Sequence, residues 1–145
     1  MAALVLPLLA FAADDPAVGI WKMNVAKSVV PAELGIKGMT RVYMMTPNGM
    51  SITETQELTT GAINTVKYVF RYDGKDYPVT GSSLYDALAV KETSKGVTES
   101  TLKLKGAVVG HSARRISKDG KSMSFDATIK VSGKDTTLKY EFDKQ

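Results

Sequence analysis

Apolar and polar residues alternate with a period of two through most of this chain. In 123–131, Met123, Phe125, Ala127, Ile129 and Val131 share one side, and Ser124, Asp126, Thr128 and Lys130 share the other. Leu138, Tyr140 and Phe142 alternate with Lys139, Glu141 and Asp143, and Val66, Tyr68, Phe70 and Tyr72 alternate with Lys67 and Arg71. This is the pattern of strands with one buried and one wet face, as in an antiparallel sheet. Turn residues separate the runs: Asn48-Gly49, Asp73-Gly74, Lys95-Gly96, Lys105-Gly106, Asp119-Gly120 and Gly133-Lys134. Asn-Gly and Asp-Gly suit type I′ hairpin turns, whose two central residues need positive φ. The predicted strands are 18–23, 39–46, 50–58, 65–72, 76–80, 86–92, 97–104, 107–117, 122–131 and 135–143. A flat sheet of that many strands would leave long unpaired edges. The predicted fold is therefore all-β, an antiparallel up-and-down meander closed into a β-barrel of about ten strands.

The first strand carries the only tryptophan, Trp21, expected to plug one end of the barrel. One long connection follows it, 25–38, in which Pro31-Ala32-Glu33-Leu34-Gly35 can make a short helical turn ending at the glycine. That turn is expected to sit over one mouth. Residues 2–12 are an apolar run too short to span a bilayer. They end in the small-x-small pattern Ala10-Phe11-Ala12 before polar Asp14-Asp15. Residues 1–12 read as a signal peptide that lacks a basic leader, as a truncated one would. Residues 13–145 read as one barrel domain. The competing reading is a buried N-terminal segment.

Inward side chains of a barrel either fill it or line a cavity, so the polar residues on inward faces are the informative ones. Strand 50–58 has Met50, Ile52, Glu54, Gln56 and Leu58 on its even face, and the apolar ends turn that face inward. The same reasoning turns Tyr68, Tyr72 and Tyr140 inward. It also turns in the set Val108, Gly110, Ser112, Arg114 and Ile116. A buried carboxylate must be paired or neutralised. Arg114 is the expected partner of Glu54. The expected ligand-binding residues are Trp21, Glu54, Gln56, Tyr68, Tyr72, Arg114 and Tyr140. Met23, Met39, Met44, Met45, Met50 and Met123 read as core filling that would also adapt to varied apolar ligands.

Composition narrows the function. At 145 residues with 43% hydrophobic and 23% charged side chains, the chain can bury a core without staples. Cysteine is absent, which excludes disulfides, thiolate catalysis and cysteine metal sites. The single histidine, His111, falls on an outer face and cannot make a multi-histidine metal site. The net charge of +4 comes from scattered lysines, without the basic stripe and interleaved aromatics of a nucleic-acid surface. No G-x-S-x-G elbow or phosphate-cradling glycine loop is present. No catalytic residue, metal, cofactor or membrane span is expected.

Gly19-Ile20-Trp21 ahead of a meander resembles the G-x-W signature of lipocalins and the wider calycin superfamily. Ten strands with a short helical connection after the first resemble the fatty-acid-binding-protein layout. Trp21-Lys22-Met23-Asn24 with Lys27-Ser28, the run 72–81 and Ser117-Lys118-Asp119-Gly120-Lys121 are similar to a group of exported bacterial lipocalin-like proteins. The resemblance implies a barrel and export, to the periplasm or outside the cell. It also implies an arginine packed on the tryptophan, for which Arg114 and Arg115 are the candidates.

The functional expectation is an exported protein holding a small, largely apolar or amphipathic molecule, such as a lipid or fatty acid, inside the barrel. One alternative is a small hydrolase or isomerase using Glu54 or Asp76 with a tyrosine. Another is a structural or inhibitor protein of the cell envelope.

Overall fold

A computed structural model describes residues 15–145. The predicted signal segment, 1–12, lies outside the described residues. The chain forms ten antiparallel strands: β1 Gly19–Met23, β2 Ile36–Thr46, β3 Gly49–Leu58, β4 Ile63–Phe70, β5 Asp73–Thr80, β6 Ala87–Ser94, β7 Val97–Leu104, β8 Ala107–Ile116, β9 Ser122–Val131 and β10 Lys134–Lys144. Each pairs with its neighbour in sequence, and β1 pairs with β10 to close the barrel. The predicted meander is the observed fold. β1 meets β10 through Trp21–Lys144, Lys22–Asp143 and Met23–Phe142. The seam between β4 and β5 is short, at Lys67–Thr80 and Tyr68–Val79.

The connection after β1 has two parts. A 3₁₀ turn at Val25–Lys27 is capped by Asn24, and Val29 then forms an isolated antiparallel bridge with Lys139 of β10. A second 3₁₀ turn, Ala32–Leu34, ends at Gly35, which takes the left-handed conformation open to glycine. The Gly35 carbonyl accepts from the Thr59 amide at 2.8 Å, which ties this turn to the β3–β4 hairpin. It thus lies over one mouth of the barrel, as expected.

Three local expectations need correction. The turns with two positive φ values are Lys105-Gly106 and Ser132-Gly133; Asn48 and Asp73 stay at negative φ. Gly74 instead falls at a register shift within β5. Val108 is exposed, not inward, because β8 has an extra residue at Val109. Gly110 pairs with Leu102, yet Val108 pairs with Lys103, so the in–out phase reverses across this bulge. Among the methionines, Met44 and Met45 are exposed, while Met23, Met39, Met50 and Met123 fill the core.

The barrel's two ends differ. At one end the indole of Trp21 is fully buried, and its Nε1 donates to the Ala17 carbonyl at 2.8 Å. The Tyr72 hydroxyl donates to Asp15 at 2.6 Å and accepts from Arg114 Nη2 at 3.3 Å. The cation over Trp21 is Lys144, 5.5 Å from the ring centroid, rather than Arg114 or Arg115. Gly19 makes room for it. With φ near 140°, a side chain there would be strained, and a Cβ would come within 2.8 Å of Lys144 Cε.

Candidate functional site

The other end holds a cavity of about 440 Å³ beneath the 3₁₀ turn, with Glu33 and Leu34 at its rim. Met39, Val66, Leu102, Phe125, Ala127, Ile129 and Leu138 give it apolar walls. Arg41, Glu54, Gln56, Asn64, Tyr85 and Tyr140 supply the polar groups. The size falls within the roughly 300–1,000 Å³ range of small-molecule sites, and so does the lining, mostly apolar with a few convergent polar groups.

Arg41, Glu54, Gln56 and Asn64 form one chain. Arg41 Nε donates to Glu54 Oε2 at 2.8 Å, and both residues are almost wholly buried. Gln56 Nε2 donates to Glu54 Oε1 at 2.7 Å. Asn64 Nδ2 donates to Gln56 Oε1 at 3.0 Å and to the Gly81 carbonyl at 3.1 Å. The partner of Glu54 is thus Arg41, not Arg114. β2 and β3 pair Arg41 directly with Glu54, whereas Arg114 sits on β8 and lies against Tyr43 and Tyr72, 5.5 and 5.9 Å from their ring centroids.

Two aromatic faces hold the Arg41 guanidinium, with Phe125 at 4.2 Å and Phe142 at 4.9 Å from Cζ. Burial works to lower the Arg41 pKa, but Glu54, then Tyr43, Tyr68 and Tyr85, more than offset it and the net shift is upward. The guanidinium stays charged. Its Nη1 is buried and has no hydrogen-bond partner among the described residues. A buried donor left without an acceptor is costly, by roughly 1–3 kcal/mol or more when charged. Burial raises the Tyr85 and Tyr140 hydroxyls, with Glu54 adding to it, Tyr140 to about 12. Both remain protonated and able to donate at neutral pH.

Of the expected binding residues, Glu54, Gln56 and Tyr140 line the cavity. Tyr68 points inward, and burial raises its pKa along with Tyr85 and Tyr43. Trp21, Tyr72 and Arg114 lie outside the lining, at the sealed end. Arg41, Asn64 and Tyr85 were not anticipated. Arg41 shares the odd face of its strand with buried Met39 and Tyr43, a weak signal at most because Val42 and Met44 make the other face apolar as well. Tyr85 lies in the loop before β6, where no periodicity marks it. Asp76 is on the outer surface, bonded to Lys103 at 2.9 Å, away from any interior site. His111 is exposed on the outer face of β8.

The fold and cavity together define the class: a closed ten-stranded antiparallel barrel with a roofed interior pocket. No protein-family model and no curated protein sequence matches the chain. Among solved structures it is similar to the zebrafish ileal bile acid-binding protein complexed with cholic acid. The TM-score is 0.51 at 14% identity, covering 90% of this chain and 99% of that one. This likeness is one of fold. Among the described residues, no helix is long and apolar enough to cross a membrane.

Proposed function

We propose that this protein binds a small, largely apolar molecule inside its barrel and carries it as an exported protein. One observation supports the reading above the others: a largely apolar cavity of about 440 Å³ is lined by the buried Arg41–Glu54 ion pair. A barrel packed solid by its own side chains would offer no such cavity. The similar zebrafish protein is bile acid-binding and was crystallised with cholic acid, so a barrel of this layout can hold an amphipathic molecule. Export rests on the apolar run 2–12 and its small-x-small end.

The test is binding of an uncharged fluorophore such as phenylnaphthylamine, whose emission rises in apolar surroundings. Wild-type protein should bind it stoichiometrically. Ala127→Phe puts a ring into the cavity from its β9 wall and should abolish binding while leaving a cooperative unfolding transition. Unchanged binding by a folded Ala127→Phe protein would place the fluorophore elsewhere and refute the interior site. Native mass spectrometry of protein from its host should show a co-purifying molecule, released on unfolding.

A further inference from the structure

The binding reading leaves open what kind of polar group meets Arg41, and the charges already in place bear on it. Glu54 neutralises Arg41 before any ligand arrives. Both carboxylate oxygens are engaged, one by Arg41 and the other by Gln56. Asn64 holds Gln56 in turn and is itself held to the Gly81 carbonyl. A ligand carboxylate could displace Glu54 only by breaking this chain and stranding a buried anion. If it bound beside Glu54 on the guanidinium instead, two anions would share one cation inside a poorly polarisable wall. The second buried arginine is committed elsewhere: Arg114 contacts Tyr43 and Tyr72, and Tyr72 is bonded to Asp15 at the sealed end. Among the other lining residues, Tyr85, Tyr140, Ser82, Ser83 and Ser132 bring donors but no positive charge.

We infer that the cavity selects apolar molecules whose polar end is an uncharged oxygen acceptor, such as an amide, ester, ketone or alcohol. The Arg41 guanidinium donates to that oxygen, and free carboxylates of the same chain are disfavoured. Glu54 is the selectivity-determining residue, acting through its charge on Arg41.

The experiment is competition against bound phenylnaphthylamine by dodecanamide, dodecanol and dodecanoate at neutral pH, each below its aggregation threshold. In wild-type protein the amide and alcohol should displace the fluorophore at concentrations at least ~10-fold lower than the carboxylate, because a like charge forced beside Glu54 is strongly unfavourable. In Glu54→Gln the guanidinium loses its counter-charge, so the order should narrow or invert in favour of dodecanoate. Dodecanoate equal to or better than the amide in wild-type protein would overturn the inference and leave the binding reading standing. The same selectivity in Glu54→Gln as in wild type would overturn it too. If no chain displaces the fluorophore, or the fluorophore does not bind, the interior-site reading itself falls and the inference falls with it. The wild-type comparison decides the matter even if the variant fails to fold.

Discussion

The Arg41–Glu54 pair sets the character of the interior at the scale of single residues. Removing one member strands the other. Arg41→Met should cost about 3–5 kcal/mol, because Glu54 is left as a buried carboxylate without its cation. Replacing both, as Arg41→Met with Glu54→Leu, should recover most of that loss, since two apolar side chains need no partner. Urea unfolding of the two variants checks this, and equal losses in both would contradict it. Half of the pair was legible in the sequence: the even face of 50–58 has clear apolar ends, so Glu54 reads as inward. Arg41 did not stand out because β2 is apolar on both faces. Met39 and Tyr43 line the inner side, but Val42 and Met44 occupy the outer side, where Met44 is exposed. Alternation carries little information when both faces are greasy. With Arg41 unnoticed, Arg114 was the remaining arginine on an inward face.

Scaled up to elements, β8 shows what patterning can and cannot convey. The strands themselves were legible, since period-two runs and glycine turns bound them closely. The bulge at Val109 was not, because one inserted residue leaves the composition of a strand unchanged while reversing its phase. Gly110, next to it, faces the β9 backbone so closely that a Cβ would collide with the Thr128 carbonyl oxygen and lie 2.9 Å from Ile129 Cα. Its backbone φ is not in the left-handed region, so the constraint is space alone. Gly110→Ala should therefore push β8 away from β9 and cost about 1–3 kcal/mol, as overpacking does. Gly106→Ala meets nothing within 4 Å and would probe φ strain alone, at a turn with positive φ. Of the two, Gly110→Ala should also perturb backbone chemical shifts across β9, and a variant confined in its effects to the β8 turn would contradict this account.

Considered as a whole molecule, the barrel is sealed at one end and roofed at the other, and tyrosines lie along the interior between. Trp21, Lys144 and the Asp15–Tyr72–Arg114 contacts close the first end. The turn Ala32–Leu34 covers the cavity at the second. Tyr68, Tyr72, Tyr85 and Tyr140 all have raised pKa values, in each case chiefly through burial. The unfolded chain releases these phenolic protons near pH ~10, whereas the folded barrel retains them to higher pH, Tyr140 to about 12. Between those values the unfolded state binds fewer protons than the native state. Stability is therefore complete below the unfolded value and falls as pH rises through the folded one. Each tyrosine in that condition contributes a decline of about 1.4 kcal/mol per pH unit. Urea midpoints should thus be steady up to about pH 9 and drop steeply above about pH 10. Tyr140→Phe should shed one tyrosine's share of that slope, and a wild-type midpoint that stays level through pH ~12 would mean the interior phenols are in contact with bulk water.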